Sequence, residues 1–215
     1  MTSEFIVLST TKVGDNAVVV HTLSREYGRR GFIVRSGKKA NPALLMPLSI
    51  LEADVVENPK SELWSLRGLS SLDALSGIRG NIEKNTMSLF IAEVLFRTIR
   101  DGAFEDGLYE ACVRNILTLN ALEADYLNFH VWFLLDLASA MGFRPSSEDI
   151  LPFAKDDNGQ ALVSLLTLDF ANAMMLPLSG NLRSSLCESL IRYLEFHTDQ
   201  SINVKSLSVL KELYR

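Results

Sequence analysis

The chain has 215 residues, with 21 Lys and Arg against 26 Asp and Glu and a formal net charge of −5. Apolar residues make up 47%, enough to bury a core, so wholesale disorder is excluded and the length allows one large domain or two small ones. Cys112 and Cys187 are the two cysteines and no CxxC pair occurs, which excludes a disulfide framework and a four-Cys zinc site and suits a reducing cytoplasm.

The opening residues, MTSEFIVLSTTK, place no basic segment ahead of their apolar stretch. The longest apolar runs, such as Val131 to Leu135, fall far short of the ~20 residues that span a bilayer. The expectation is a soluble, cytoplasmic protein.

Up to about residue 80 the pattern is β. Phe5–Thr11 and Ala17–Leu23 are rich in β-branched residues, and Gly14-Asp15 marks a turn between them. Gly31–Arg35 is a third run, reached through Tyr27-Gly28; Leu48–Val56 and Leu63–Leu69 complete five strands. The separators Gly37–Pro42 and Asn58-Pro59-Lys60 carry turn chemistry. Five short strands in this span predict a small barrel, closed or nearly so, for which an SH3-like barrel fits almost as well as an OB-fold.

Beyond residue 80 the period becomes helical. Met87, Phe90, Ile91, Val94 and Leu95 keep the i, i+3, i+4, i+7 spacing, with Thr86 as the expected N-cap and Gly102 as the stop. Leu108 to Leu117 carries a second stripe, and Tyr126 to Met141 a third that Gly142 and Pro145 terminate. One helix is expected within 161–175, another is marked by Leu182, Leu186, Leu190 and Leu194 and opened by Gly180-Asn181, and a terminal one covers Ser206–Tyr214. The fold class is therefore α+β, with residues 1–79 forming a five-stranded barrel and residues 80–215 an α-helical domain.

Charge is divided between the two parts. Residues 1–45 hold seven basic groups (Lys12, Arg25, Arg29, Arg30, Arg35, Lys38, Lys39) against three acidic ones, whereas residues 80–215 hold eleven against eighteen. Such asymmetry points to a polyanion site at one end or to cations that only solvate a small β domain, and steering depends on the local patch and not the total.

Catalytic patterns are missing. Gly37-Lys38-Lys39 is no phosphate loop, because position 32 is Phe where a Gly is required and no Ser or Thr follows the Lys. No GxSxG, HExxH or GxGxxG occurs, and His21, His130 and His197 fall in three different elements. His130 lies on an apolar helix stripe and reads as a hydrogen-bonded core residue; Cys112 reads as a small hydrophobe. Asp156-Asp157 and Glu105-Asp106 sit in hydrophilic turns. The expectation is a protein that is not an enzyme and needs no cofactor or metal.

A single-stranded nucleic-acid site needs cations to replace condensed counterions and flat side chains on which bases stack. Arg25, Arg29 and Arg30 bracket Tyr27, and Lys38 and Lys39 extend the next turn. In an ideal strand Arg30, Phe32 and Val34 share one face and Arg29, Ile33 and Arg35 the other, and one of these faces must be core. Phe32 is the better core residue and Tyr27 the better stacking residue.

The run VLSTTKVGDNAVVVHTLSREYGRRGFIVRSGKKA resembles the opening of the RecO recombination mediator family: strand, turn with an acidic residue, β run, Thr, then Glu-x-Gly-Arg and a basic turn. Met46-Pro47-Leu48 sits where the family has a Gln-Pro-apolar step. LFIAEVLFRTI, with Glu93 at a characteristic acidic position, NFHVWFLLDLASAMGFRP, and the C-terminal stretch with Lys205-Ser206 resemble the family's helical half. The resemblance implies an OB-fold followed by a helical domain that binds partners. It implies a role in bacterial recombinational DNA repair: binding single- and double-stranded DNA, annealing complementary strands and, with RecR, loading recombinase onto DNA coated with single-strand-binding protein. The acidic, Phe-terminated tail of that protein would dock on the helical domain, and the chain would join the nucleoid during repair. DNA contacts are expected from Lys12, Arg25, Tyr27, Arg29, Arg30, Arg35, Lys38 and Lys39, and partner contacts from Arg114, Arg192 and Lys205. Some members carry a four-Cys zinc module, but no Cys lies between Cys112 and Cys187, so a zinc-free variant is expected. Some place an Arg pair just before the aromatic of the third helix, where Leu127 and Asn128 stand here. The alternative is a module that binds RecR or the acidic tail with little DNA binding of its own.

Overall fold

The computed structural model describes residues 1–35, 41–61, 63–155 and 158–213. Lys38, Lys39, the Asp156-Asp157 pair and Tyr214 lie outside them. Five strands form first: β1 (Thr2–Val13), β2 (Ala17–Ser24), β3 (Gly28–Arg35), β4 (Ile50–Val56) and β5 (Trp64–Ser71). They close in the order β1-β2-β3-β5-β4, an OB-like barrel. All neighbours are antiparallel except β3 and β5, which touch in parallel at Phe32↔Trp64 and Ile33↔Ser65.

The barrel interior holds Phe5, Val7, Val20, Phe32, Val34, Leu51, Ala53, Val55 and Leu66. Around Phe5–Leu8, β1 is buried on both faces, because Ile6 and Leu8 turn outward onto the helices. This is why the sequence there is an unbroken apolar run and not an alternation. A register shift between Val7 and Ser9 places the extra residue, Leu8, in that contact.

Helices follow in chain order: α1 (Ser76–Arg79), α2 (Ile82–Thr98), α3 (Leu108–Ala121), α4 (Phe129–Ala140), α5 (Ser147–Ile150), α6 (Gly159–Thr167), α7 (Phe170–Met175), α8 (Gly180–Thr198) and α9 (Ser206–Leu213). The central α2 packs against β1, α1, α4, α8 and α9. Its expected stripe is fully buried, Met87, Phe90, Val94 and Leu95 each at 0% exposure. None of the helices among the described residues is long and apolar enough to cross a membrane.

Three boundaries differ from the sequence expectation. The N-cap of α2 is Asn81, whose side chain accepts the Lys84 N–H; Thr86 lies inside the helix and donates to the Ile82 carbonyl. The same helix ends at Thr98, before Gly102, because the following segment is drawn away to pair with β3. The apolar stretch within 161–175 breaks into α6 and α7 where Asp169 caps the second by accepting the Asn172 N–H.

The barrel and helices share one seam. The Arg29 N–H donates to the Ala103 carbonyl and the Gly102 N–H to the Arg29 carbonyl, at 3.2 and 2.8 Å. Gly28 permits this approach: its φ is +58°, and a Cβ there would lie 2.0 Å from the Ala103 oxygen. Elsewhere along the seam Arg79 donates to the Pro47 carbonyl and Ser49 Oγ, and Tyr109 donates to Glu4. Burial holds the Arg79 guanidinium below its ordinary value and drives the Tyr109 hydroxyl well above its own.

Candidate nucleic-acid interface

Strand β3 decides where most of the basic residues point. Phe32 and Val34 face the interior, so Arg30 belongs to the inward row, at the barrel mouth. There its guanidinium lies 3.8 Å from the centre of the Trp64 ring. Arg29, Ile33 and Arg35 form the outward row. Arg29 leads into the seam with its side chain only 12% exposed, paired to Asp101 at 3.3 Å and stacked 4.5 Å over Phe96. Burial lowers its pKa and Asp101 offsets this in part. His21 packs on the other side of Phe96 at 5.0 Å, and burial, then the charge of Arg29, lowers its pKa. Arg29 is thus an interface clamp as much as a surface cation.

Tyr27 is half-buried. Its ring packs against Phe5, Phe32 and Trp64, with centroids 5.9–6.4 Å apart, and plugs the barrel end instead of standing free in a turn. Around it opens a groove of about 660 Å³, with Tyr27, Arg29 and Arg30 on the barrel side and Asp101 and Phe104 on the helical side. Phe104, in the loop between α2 and α3, is 58% exposed.

Lys12 and Arg35 lie at the opposite end of the sheet. Lys12 pairs with Val18 and Arg35 with Ala17, whereas Arg29 pairs with Leu23. Six residues along an extended strand separate Arg29 from Arg35 by roughly 20 Å. Beyond their short parallel contact β3 and β5 splay, leaving a cleft of about 280 Å³ flanked by Arg35 and Arg67. Both are exposed, and among the described residues neither has an ion-pair partner. Arg67 carries no local signal in the sequence, because only the meeting of β3 and β5 sets it beside Arg35. Arg25 lines neither place; it is bonded to Glu110 at 2.5 Å and lies 5.5 Å from the Tyr109 ring centre. The basic residues therefore occupy two ends of one sheet and do not form a single cluster.

In the helical half Arg114 pairs with Asp136 at 3.0 Å on α3 and α4. Arg192 bonds the Glu188 carbonyl and Ser189 on α8. It borders a groove of about 370 Å³ whose lining mixes Ile191, Ile202, Val204 and Leu207 with Lys155, Glu188 and Glu195. Lys205 is exposed at the start of α9, and its N–H and that of Ser206 donate to Glu93, as does the Ser206 hydroxyl. The three cations are not brought together. Asn128 is buried, and its amide donates to the carbonyls of Ala173, Met174 and Leu176, tying α4 to the end of α7. His130 is buried, and Cys112 and Cys187 are buried free thiols. Among the described residues no three His, Cys, Asp or Glu gather as a metal site.

This arrangement has counterparts. The family model described as "Recombination protein O N terminal" matches residues 1–75, and "Recombination protein O C terminal" matches residues 79–149. Proteins called "DNA repair protein RecO" are similar along almost the whole length. That of Phocaeicola vulgatus is 26% identical over 233 aligned positions, that of Flavobacterium johnsoniae 27% over 231, and that of Azobacteroides pseudotrichonymphae 22% over 233, each covering 97% of both chains. With an OB-like barrel, a helical region behind it and both halves of the family matched in order, the chain belongs to the RecO family, whose role is in DNA repair and recombination.

Proposed function

We propose that this chain is a DNA-binding recombination mediator that anneals single strands and, together with RecR, helps load recombinase onto DNA coated with single-strand-binding protein. The observation that carries this reading is the placing of cations at both ends of β3, with Arg30 at the aromatic groove of the barrel mouth and Arg35 beside Arg67 at the far cleft. From Arg30 to Arg35 the strand rises roughly 17 Å, a length along which one nucleic-acid strand presents several phosphates. In the sequence Lys38 and Lys39 follow Arg35 after Ser36-Gly37.

The mechanism makes and breaks no covalent bond. Two strands repel through their phosphates, and cations along one surface lower that repulsion by displacing condensed counterions. Displacing the single-strand-binding protein then frees bases to pair. The groove bordered by Arg192 would take the acidic, Phe-terminated tail of that protein with apolar walls for the ring and Arg192 for a carboxylate, its Glu188 being paired to Lys155 and its Glu195 engaged by the Ile202 N–H. The residues of residues 80–215 would thus serve partners and those of 1–79 DNA.

A filter-binding titration in salt tests the reading. Replacing Arg30, Arg35, Lys38 and Lys39 with Ala should reduce the slope of log K against log salt by about 3 for single strands, at about 0.7 per phosphate contact. Arg29 is left in place because its loss would open the seam. An unchanged slope and unchanged annealing would refute the assignment. No affinity even at low salt, with retained binding of RecR or the acidic tail, would leave the protein-interaction module instead.

A further inference from the structure

We infer that Phe104 is a base-stacking platform and that the groove it borders selects single-stranded over duplex DNA; the inference rests on the DNA-binding reading above. A phenyl ring 58% exposed on a loop would ordinarily be adaptable, but this loop is fixed. Gly102 and Ala103, the two residues before the ring, are hydrogen-bonded to the Arg29 backbone, and Gly28 lets the chains approach to this distance. The backbone that carries the ring is therefore anchored before any ligand arrives, so stacking on it costs no ordering of the loop's first residues.

The groove's charge points to a base and not a phosphate. Asp101 is paired to Arg29 on the groove wall, and Glu26 and Arg30 both belong to the lining, so its formal charges balance. An uncharged, flat group fits such a near-neutral recess with aromatic sides, while the phosphates follow the cations outside it. A volume of about 660 Å³ is in the range that holds a small ligand such as a nucleotide. In a duplex the base faces are stacked on one another and unavailable to the ring, so only an unpaired strand gains from it.

The test uses the full chain, a fluorescein-labelled twenty-residue oligothymidine and a twenty-base-pair duplex, followed by anisotropy across a salt series. Phe104→Ala should weaken single-strand binding about tenfold or more, the effect of losing one stacked base. It should leave the salt slope and duplex affinity unchanged, because no cation is removed. Phe104→Trp should retain single-strand affinity, and the emission it adds to that of Trp64 and Trp132 in the parent should be quenched when an unlabelled oligonucleotide is added. The inference is overturned if Phe104→Ala stays within twofold of the parent, if it weakens single strand and duplex alike, or if the indole is not quenched. A parent protein that binds neither DNA at low salt would sink the DNA-binding reading itself, an outcome distinct from the others because it needs no variant.

Discussion

Replacing Gly28 with Ala tests the seam that holds the groove together. The added methyl would lie 2.0 Å from the Ala103 oxygen, and the residue has a φ of +58°. A side chain in the left-handed region costs about 1–2 kcal/mol. Relieving the clash separates β3 from residues 102–103 and weakens two hydrogen bonds, each contributing about 0.5–1.5 kcal/mol. The expected loss is about 3 kcal/mol, which a urea slope of about 3 kcal/mol per molar converts to a midpoint shift of about 1 M. Gly14 supplies the control: its φ is +65°, but an added Cβ meets nothing within 4 Å. Gly14→Ala should therefore lose only the conformational part, about 1 kcal/mol, and shift the midpoint by about 0.3 M. Urea unfolding of both variants, followed by circular dichroism, measures the difference. Equal shifts for the two glycines would show that the close approach at Ala103 contributes nothing.

Arg35→Ala with Arg67→Ala should lower the salt slope for single strands by about 1.4 while leaving thermal unfolding unchanged; a slope equal to the parent's would remove the cleft from the DNA path. Glu93→Ala should destabilise the chain by about 0.5–2 kcal/mol, the range of losing a helix cap, and speed hydrogen exchange along α9, since Glu93 accepts three hydrogen bonds from Lys205 and Ser206. Slow exchange retained in α9 would show that its apolar contacts suffice. His130 should make stability fall on the acid side. Burial and the charge of Arg183 lower its pKa from 6.5 to about 3, against a Leu127 hydrogen bond that raises it, so the unfolded chain takes up the proton first. Its contribution is complete above pH 6.5 and is lost as the pH falls towards 3. His130→Gln should flatten the pH dependence of the unfolding free energy over that window, and an unaltered slope would mean that other groups dominate it.

The pattern of residue types alone carried the division into strands and helices, the buried stripe of α2 and the inward position of Phe32, because period 2 and period 3.6 are local properties. The boundary at Thr98 was not legible in the same way. Nothing near Gly102 announces that its N–H belongs to the Arg29 carbonyl, 73 positions earlier in the chain. The family resemblance pointed to Glu93 and to Lys205-Ser206 separately; folding shows one to be the cap of the other. Phe104 carried no signal, since an aromatic residue in a polar loop gains meaning only from the groove beside it.

Residue order and type were enough to specify a β part followed by an α part, with positive charge concentrated in the first. The tertiary structure decided which of those charges face DNA-sized surfaces. Arg29 is drawn into the seam by Asp101 and Phe96, Arg25 is paired to Glu110, and Arg35 gains Arg67 as a neighbour. Charge is a property of each residue, but its availability depends on partners supplied by strand pairing and packing across distant parts of the chain.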